Sequence, residues 1–121
     1  MAGLIKKILV AEDEKPMAKA LVLKLNHAGF EAKAAFNGEE AIEEMAKNDY
    51  DLLLLDMIMP RMDGFTVLKK LKEQGTKTKI VVTSNLGQEE DFNKAKELGA
   101  TDYFVKSDTS LSEIVDYIKK M

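Results

Sequence analysis

The stretch Leu52-Leu53-Leu54-Leu55-Asp56-Met57-Ile58-Met59-Pro60 decides how the rest of the chain is read. Four leucines in a row give no amphipathic alternation. They suit a strand buried on both faces, as in the middle of a parallel sheet. Asp56 then stands at the carboxyl end of that strand. In open α/β sheets the ligand crevice lies outside those carboxyl ends. A carboxylate there is placed to act on something; the competing role is a simple cap for the turn running through Pro60 to Asp63-Gly64.

Working outward, the same grammar repeats. Ile5 to Ala11 reads as a strand that ends in Glu12-Asp13-Glu14. Pro16 suits the first turn of a helix, and Met17, Leu21, Leu25 and Ala28 share one face of it, with Gly29 as its stop. Phe30 to Ala35 is a short strand bounded by Gly29 and Asn37-Gly38. Residues 38–47 form a helix with Ala41, Ile42, Met45 and Ala46 as its stripe and glutamates opposite. After the leucine strand, Phe65, Leu68 and Leu71 mark a third helix. Ile80 to Thr83 is a strand ending at Ser84-Asn85. Residues 89–98 form a helix with a thin apolar face (Phe92, Ala95, Leu98), which implies weak anchoring. Tyr103-Phe104-Val105 is a last strand ending at Lys106. Ser110 and Glu113 form a capping box for the final helix. Five strand–helix pairs in strict alternation predict an α/β fold, a doubly wound (βα)5 flavodoxin-like sheet with strand order 2-1-3-4-5.

Length and composition set the boundaries. With 121 residues and no linker or repeat, the chain makes one domain over 1–121. It has no cysteine, which removes disulfides and thiolate metal sites. The net charge is −3, the acidic excess lies in the first half, and no basic run marks a nucleic-acid footprint. Apolar runs are too short for a membrane span. The start, Met1 to Lys7, does not read as a signal peptide. A cytoplasmic protein is expected.

The polar residues fall one step past the strands. Glu12 and Asp13 come after the first, Asp56 after the third, Ser84 after the fourth and Lys106 after the fifth, all on one edge of the sheet. Three close carboxylates repel one another, and a divalent cation relieves the repulsion. All-oxygen donors completed by water suit Mg2+. Zinc is unsuited, since His27 stands alone near a helix end. Beside Mg2+ and Lys106, Asp56 can stay ionised as a nucleophile and form an aspartyl phosphate, with the Ser84 hydroxyl donating to a phosphoryl oxygen.

This ordered set, together with Met59-Pro60, Asp63-Gly64 and the run Leu98-Gly99-Ala100-Thr101-Asp102-Tyr103 before Lys106, resembles the receiver domains of two-component response regulators, in particular single-domain chemotaxis-type regulators. The resemblance implies that Asp56 accepts a phosphoryl group from a sensor histidine kinase or phosphotransfer protein. It implies Mg2+ bound by Asp13, Asp56 and the Ile58 backbone carbonyl, with Glu12 acting mainly through water. It implies that Lys106 pairs with Asp56, that Ser84 and Tyr103 form a switch, and that downstream partners meet the face of helix 4, strand 5 and helix 5. The chain would act as a monomer or a phosphorylation-dependent dimer, and as no enzyme beyond its own phosphorylation and slow dephosphorylation. It departs from the family's usual pattern at Glu12 (for Asp), Ser84 (for Thr), Asn85 (for a small Ala) and Ser107 (for Pro). Asn85 is expected either to crowd the inward path of Tyr103 or to cover the phosphoryl group. The 106–107 peptide bond is expected to be trans. Ile58 and Leu86, both apolar, flank the path of the hydrolytic water in such domains, so a long-lived phosphorylated state is expected. Two other functions use the same fold: an interaction module without phosphorylation, against which the intact acidic set argues, and a phosphohydrolase, which would need an acid where Ile58 stands.

Overall fold

The computed structural model describes residues 5–121, so the first four residues of the N-terminal reading lie outside the described residues. The elements keep the predicted alternation: β1 (Lys7–Ala11), α1 (Lys15–His27), β2 (Glu31–Ala35), α2 (Gly38–Lys47), β3 (Leu52–Leu55), α3 (Gly64–Glu73), β4 (Lys79–Ser84), α4 (Glu89–Glu97), β5 (Asp102–Val105), a 3-10 turn (Lys106–Asp108) and α5 (Leu111–Lys119). The strands form one parallel sheet in the order β2-β1-β3-β4-β5.

The leucine run explains the layering. Successive side chains of a strand point to opposite faces. Leu53 and Leu55 join Leu9, Ala11, Ile80 and Val82 in a core closed by Ala41 of α2, Val67, Leu68 and Leu71 of α3 and Ala95 of α4. Leu52 and Leu54 join Ile8, Val10 and Val81 against Leu21 and Leu25 of α1 and Ile114, Val115 and Ile118 of α5. All four leucines of β3 are buried, at 1 % exposure or less. Each such side chain contributes about 1.5–3 kcal/mol of burial, so the central strand is firmly held.

Local signals set the helix ends. Asn37 Oδ1 accepts from the Glu40 amide at 2.9 Å and starts α2. Asp63 Oδ1 accepts from the Thr66 amide at 2.8 Å and starts α3. The capping box at α5 is formed on both sides: Ser110 Oγ accepts from Glu113 N and Glu113 Oε1 from Ser110 N, each at 3.1 Å.

Three details differ from the sequence reading. The buried stripe of α1 is Ala18, Leu21 and Leu25, with Met17 only half-buried. Ala46 of α2 is exposed, because the helix is short and only its Ala41 line faces the sheet. Phe30 precedes β2, which begins at Glu31 and alternates exposed and half-buried as a sheet-edge strand does. Among the described residues no helix is long and apolar enough to cross a membrane.

Candidate phosphoacceptor site

The sheet's carboxyl edge carries the site. The β1–β3 ladder runs one step beyond the strands, since the Asp56 amide donates to the Ala11 carbonyl at 3.0 Å. The Glu12 amide donates to the Ala35 carbonyl, also at 3.0 Å. Both acidic residues are therefore fixed at the backbone by the sheet itself. Glu12 is 1 % exposed and Asp56 4 %. Asp13 is half-buried beside them. Carboxylate oxygens of Glu12, Asp13 and Asp56 all lie within 4.8 Å of one another.

Among the described residues, one cation answers this charge. The Lys106 ammonium donates to Asp56 Oδ2 at 3.1 Å and in a tight contact to Glu12 Oε1. Asp56 Oδ1 accepts from the Ile58 amide at 3.2 Å, and Glu12 Oε2 from the Glu14 amide at 3.0 Å. Asp56 is thus both a turn acceptor and an ion-pair partner. Glu12 and Asp13 do not cap α1, whose N-cap residue is Glu14. Burial pushes the Glu12 carboxyl up to about 7, against the lowering effect of its Lys106 hydrogen bond. Burial acts to lower the Lys106 ammonium, but its bond to Glu12 and the Asp56 charge prevail and raise it. A third carboxylate beside two buried ones is costly unless a further cation shares the charge. Three carboxylates and no nitrogen or sulfur donor fit a hard ion such as Mg2+, with the Ile58 carbonyl next in the same loop.

The β3–α3 loop is shaped to keep this geometry. The Gly64 amide donates to the Met57 carbonyl at 2.9 Å. A Cβ on Gly64 would stand 2.5 Å from the Asp56 carbonyl oxygen and 2.7 Å from the Met57 Cα. The loop approaches its own backbone so closely that only glycine fits. Arg61 takes a positive φ of 68° at the loop's outer bend.

On the other flank, Ser84 is fully buried and its Oγ accepts from the Leu86 amide at 3.3 Å. Tyr103 reaches inward: its hydroxyl donates to the Leu86 carbonyl at 2.7 Å, and its ring meets Phe92 of α4 edge-on at 4.7 Å between centroids. Burial raises the Tyr103 phenol above its ordinary value, with the neighbouring Ser84 hydroxyl partly opposing it and the Asp91 and Asp56 charges adding to it. Asn85 does not block this path. Its side chain turns to the opposite loop, where Oδ1 accepts from the Ser107 amide at 3.1 Å. The described chain has no cis peptide bond, so 106–107 is trans. The helix predicted to be weakly anchored, α4, buries only Ala95. It is held in addition by Lys72, whose ammonium donates to the Glu97 carbonyl at 2.7 Å, and by Lys94 over the Phe65 ring at 4.5 Å.

Comparison with known proteins agrees with this fold. A family model described as the response regulator receiver domain matches residues 8–119. The chain belongs to the response regulator receiver family. Its relatives include the transcriptional regulatory protein DltR of Streptococcus agalactiae serotype III (strain NEM316), 37 % identical over 83 % of this chain and 45 % of that protein. The alkaline phosphatase synthesis transcriptional regulatory protein PhoP of Bacillus subtilis (strain 168) is 36 % identical over 84 % of this chain and 42 % of that protein. This receiver therefore spans about half the length of the curated relatives it matches. Among solved structures, the Francisella response regulator 1452 receiver domain superposes with a TM-score of 0.87 at 32 % identity, covering 95 % of this chain and 97 % of that one. The Vibrio cholerae chemotaxis protein CheY4 gives a TM-score of 0.88 at 25 % identity over 96 % and 98 %.

The structure brings together every predicted site residue of this receiver: Glu12, Asp13, Asp56, Ser84 and Lys106 at one edge, with Ile58 in the adjoining loop and Tyr103 behind Ser84. Sequence reasoning missed the Leu86 carbonyl, the Asn85–Ser107 bond and the steric need for Gly64. Only the last left a signal, the Asp63-Gly64 pair.

Proposed function

We propose that Asp56 accepts a phosphoryl group from a phosphohistidine on a sensor histidine kinase or phosphotransfer protein, in a Mg2+-dependent reaction, and that the change reaches the α4–β5–α5 face where a downstream protein binds. The observation that supports it best is the single ammonium of Lys106 shared between the buried carboxylates of Asp56 and Glu12, with Asp13 within reach of both. An Asp56 Oδ forms the new bond to phosphorus while the phosphorus–nitrogen bond of the donor breaks. The departing electron pair stays on the imidazole nitrogen, which takes up a proton.

Asp13, Asp56 and the Ile58 carbonyl would hold Mg2+, with Glu12 contributing through water. Bound there, Mg2+ supplies neutralisation of the phosphoryl oxygens. Lys106 moves its partnership from the Asp56 carboxylate to the transferred group, and Ser84 turns its hydroxyl from the Leu86 amide towards a phosphoryl oxygen. Leu86 is thereby released, and with it the carbonyl on which Tyr103 rests. A phosphorylated state is favoured over the free one only by such differential contacts.

The chain is no turnover enzyme in this reading. Ile58 is 57 % exposed beside the acceptor, and neither it nor Leu86 offers a group to orient water, so the aspartyl phosphate is long-lived. The test is incubation with Mg2+ and a small phosphodonor, read by intact mass. One phosphoryl adduct, absent from Asp56→Ala and absent after chelation of Mg2+, is expected. Continuous release of phosphate at many turnovers would replace this reading with a phosphohydrolase.

A further inference from the structure

The loop that follows Ser84 is tied twice, once to strand β5 and once to the turn that carries Lys106. Behind the site, Tyr103 holds the Leu86 carbonyl. In front of it, the Asn85 carboxamide holds the Ser107 amide. The second tie falls at a sensitive place. Lys106 is the first residue of the 3-10 turn Lys106–Asp108, where backbone N–H groups have no partner within the turn. Asn85 Oδ1 supplies one of these partners from the neighbouring strand's loop. Ser84 pairs with Val105 in the sheet register, so the bond spans the first gap beyond the β4–β5 ladder.

We propose that Asn85 is a positioning residue: by holding the Ser107 amide it fixes the backbone from which Lys106 reaches Asp56 and Glu12. This rests on Asp56 being the phosphoacceptor. A lysine has a four-carbon stem whose ordering costs up to about 2 kcal/mol of rotamer freedom, and anchoring its Cα removes further freedom from the ammonium. The two positions also belong together chemically. A residue at 107 must keep its N–H to meet Asn85, and serine does. Proline would have none. The two departures from the usual receiver pattern at 85 and 107 are thus halves of one contact. The same bond links the Ser84 loop to the Lys106 loop, so movement of Ser84 towards a phosphoryl group draws the 3-10 turn with it.

The test is a double-mutant cycle with Asn85→Ala and Ser107→Pro, read as the initial rate of adduct formation with Mg2+ and phosphoramidate. Mg2+ affinity is measured separately on the same proteins. Asn85→Ala should slow transfer about three- to tenfold, the worth of one net hydrogen bond. In the Ser107→Pro background the same change should have no effect, because the donor is already gone. Ser107→Ala, which keeps the N–H, should match the unaltered protein, and Mg2+ affinity should be unchanged throughout. In the unaltered protein the Ser107 amide should exchange with solvent at least about threefold more slowly than an unbonded amide, a reading that needs no variant to fold. An unaltered rate in Asn85→Ala, an equal loss in both backgrounds, or a free Ser107 amide overturns the latch and leaves Asp56 as acceptor. An unaltered protein that forms no adduct overturns both.

Discussion

The two flanks of the site are built on opposite principles. On the β1–β3 flank, Glu12 and Asp56 extend strands whose side chains are buried on both faces, and their own amides continue the ladder. On the β4–β5 flank, Ser84 ends a buried strand, but the loops beyond the strand ends are held by single hydrogen bonds: Leu86 to Ser84, Tyr103 to Leu86, Ser107 to Asn85. β5 is half-buried along its whole length. The first flank is a rigid seat for charge. The second is held by contacts worth about 0.5–1.5 kcal/mol each, a size that a bound phosphoryl group can outweigh. A signalling site needs both: one side that does not move when charge arrives, and one that does.

The largest effect should come from the residue that joins the flanks. Lys106→Met leaves Glu12 and Asp56 buried without their cation. Phosphorylation by a small donor should slow by about 10²–10³, as for loss of one preorganised charge-stabilising donor. Without Mg2+ the fold should lose about 3 kcal/mol by denaturant titration, the low end for a broken buried pair, because Asp13 is half-exposed and water reaches it. Added Mg2+ should recover most of that stability but not the rate.

Next come changes confined to the rigid flank. Leu54→Ala, fully buried between β3, α1 and α5, should cost about 3 kcal/mol. Gly64→Ala should cost about 2 kcal/mol by forcing the loop away from the Asp56 carbonyl. It should slow phosphorylation as well, since the displaced atoms belong to the acceptor's own backbone. A Gly64→Ala protein with unchanged rate would show that the seat is softer than its packing indicates.

The pH dependence comes from Glu12. Its folded carboxyl lies at about 7 against an ordinary 4.5, so between those values the folded state binds more protons than the unfolded one. Stability of the metal-free protein should therefore fall as pH rises from about 4.5 to about 7. Glu12→Gln should flatten that slope in thermal melts taken across the range. Mg2+ binding needs the ionised acid, so Mg2+ affinity should rise over the same window. The smallest effect belongs to the movable flank. Tyr103→Phe deletes the bond to Leu86 and should cost about 1 kcal/mol, with phosphorylation rate retained and the response of α4 reduced.

Most of the fold was legible because it rests on burial and capping, which are local in sequence. Leu52–Leu55 announces a two-faced strand, and Ser110 with Glu113 announces a helix start. The carboxylates were legible because each stands one step past such a strand. Less legible was anything that depends on how two loops meet. Asn85 looked like an obstruction to Tyr103, and only the fold reveals that its carboxamide faces Ser107. The anchoring of α4 was underread for a related reason. Its apolar face is thin as predicted, but Lys72 of α3 bonds its last carbonyl and its own Lys94 lies over Phe65 of α3, contacts that carry no periodicity.

The contrast between the flanks has a direct readout in amide chemical shifts of the 15N-labelled protein, compared with and without Mg2+ and beryllofluoride, a stable mimic of the phosphoryl group. Beyond the immediate neighbours of Asp56, the large changes should fall in residues 84–88 and 103–107 and run into α4, while residues 8–11 and 52–55 stay near their starting shifts. Changes of equal size along β1 and β3, or none in the 84–88 and 103–107 loops, would contradict a rigid seat facing a movable flank.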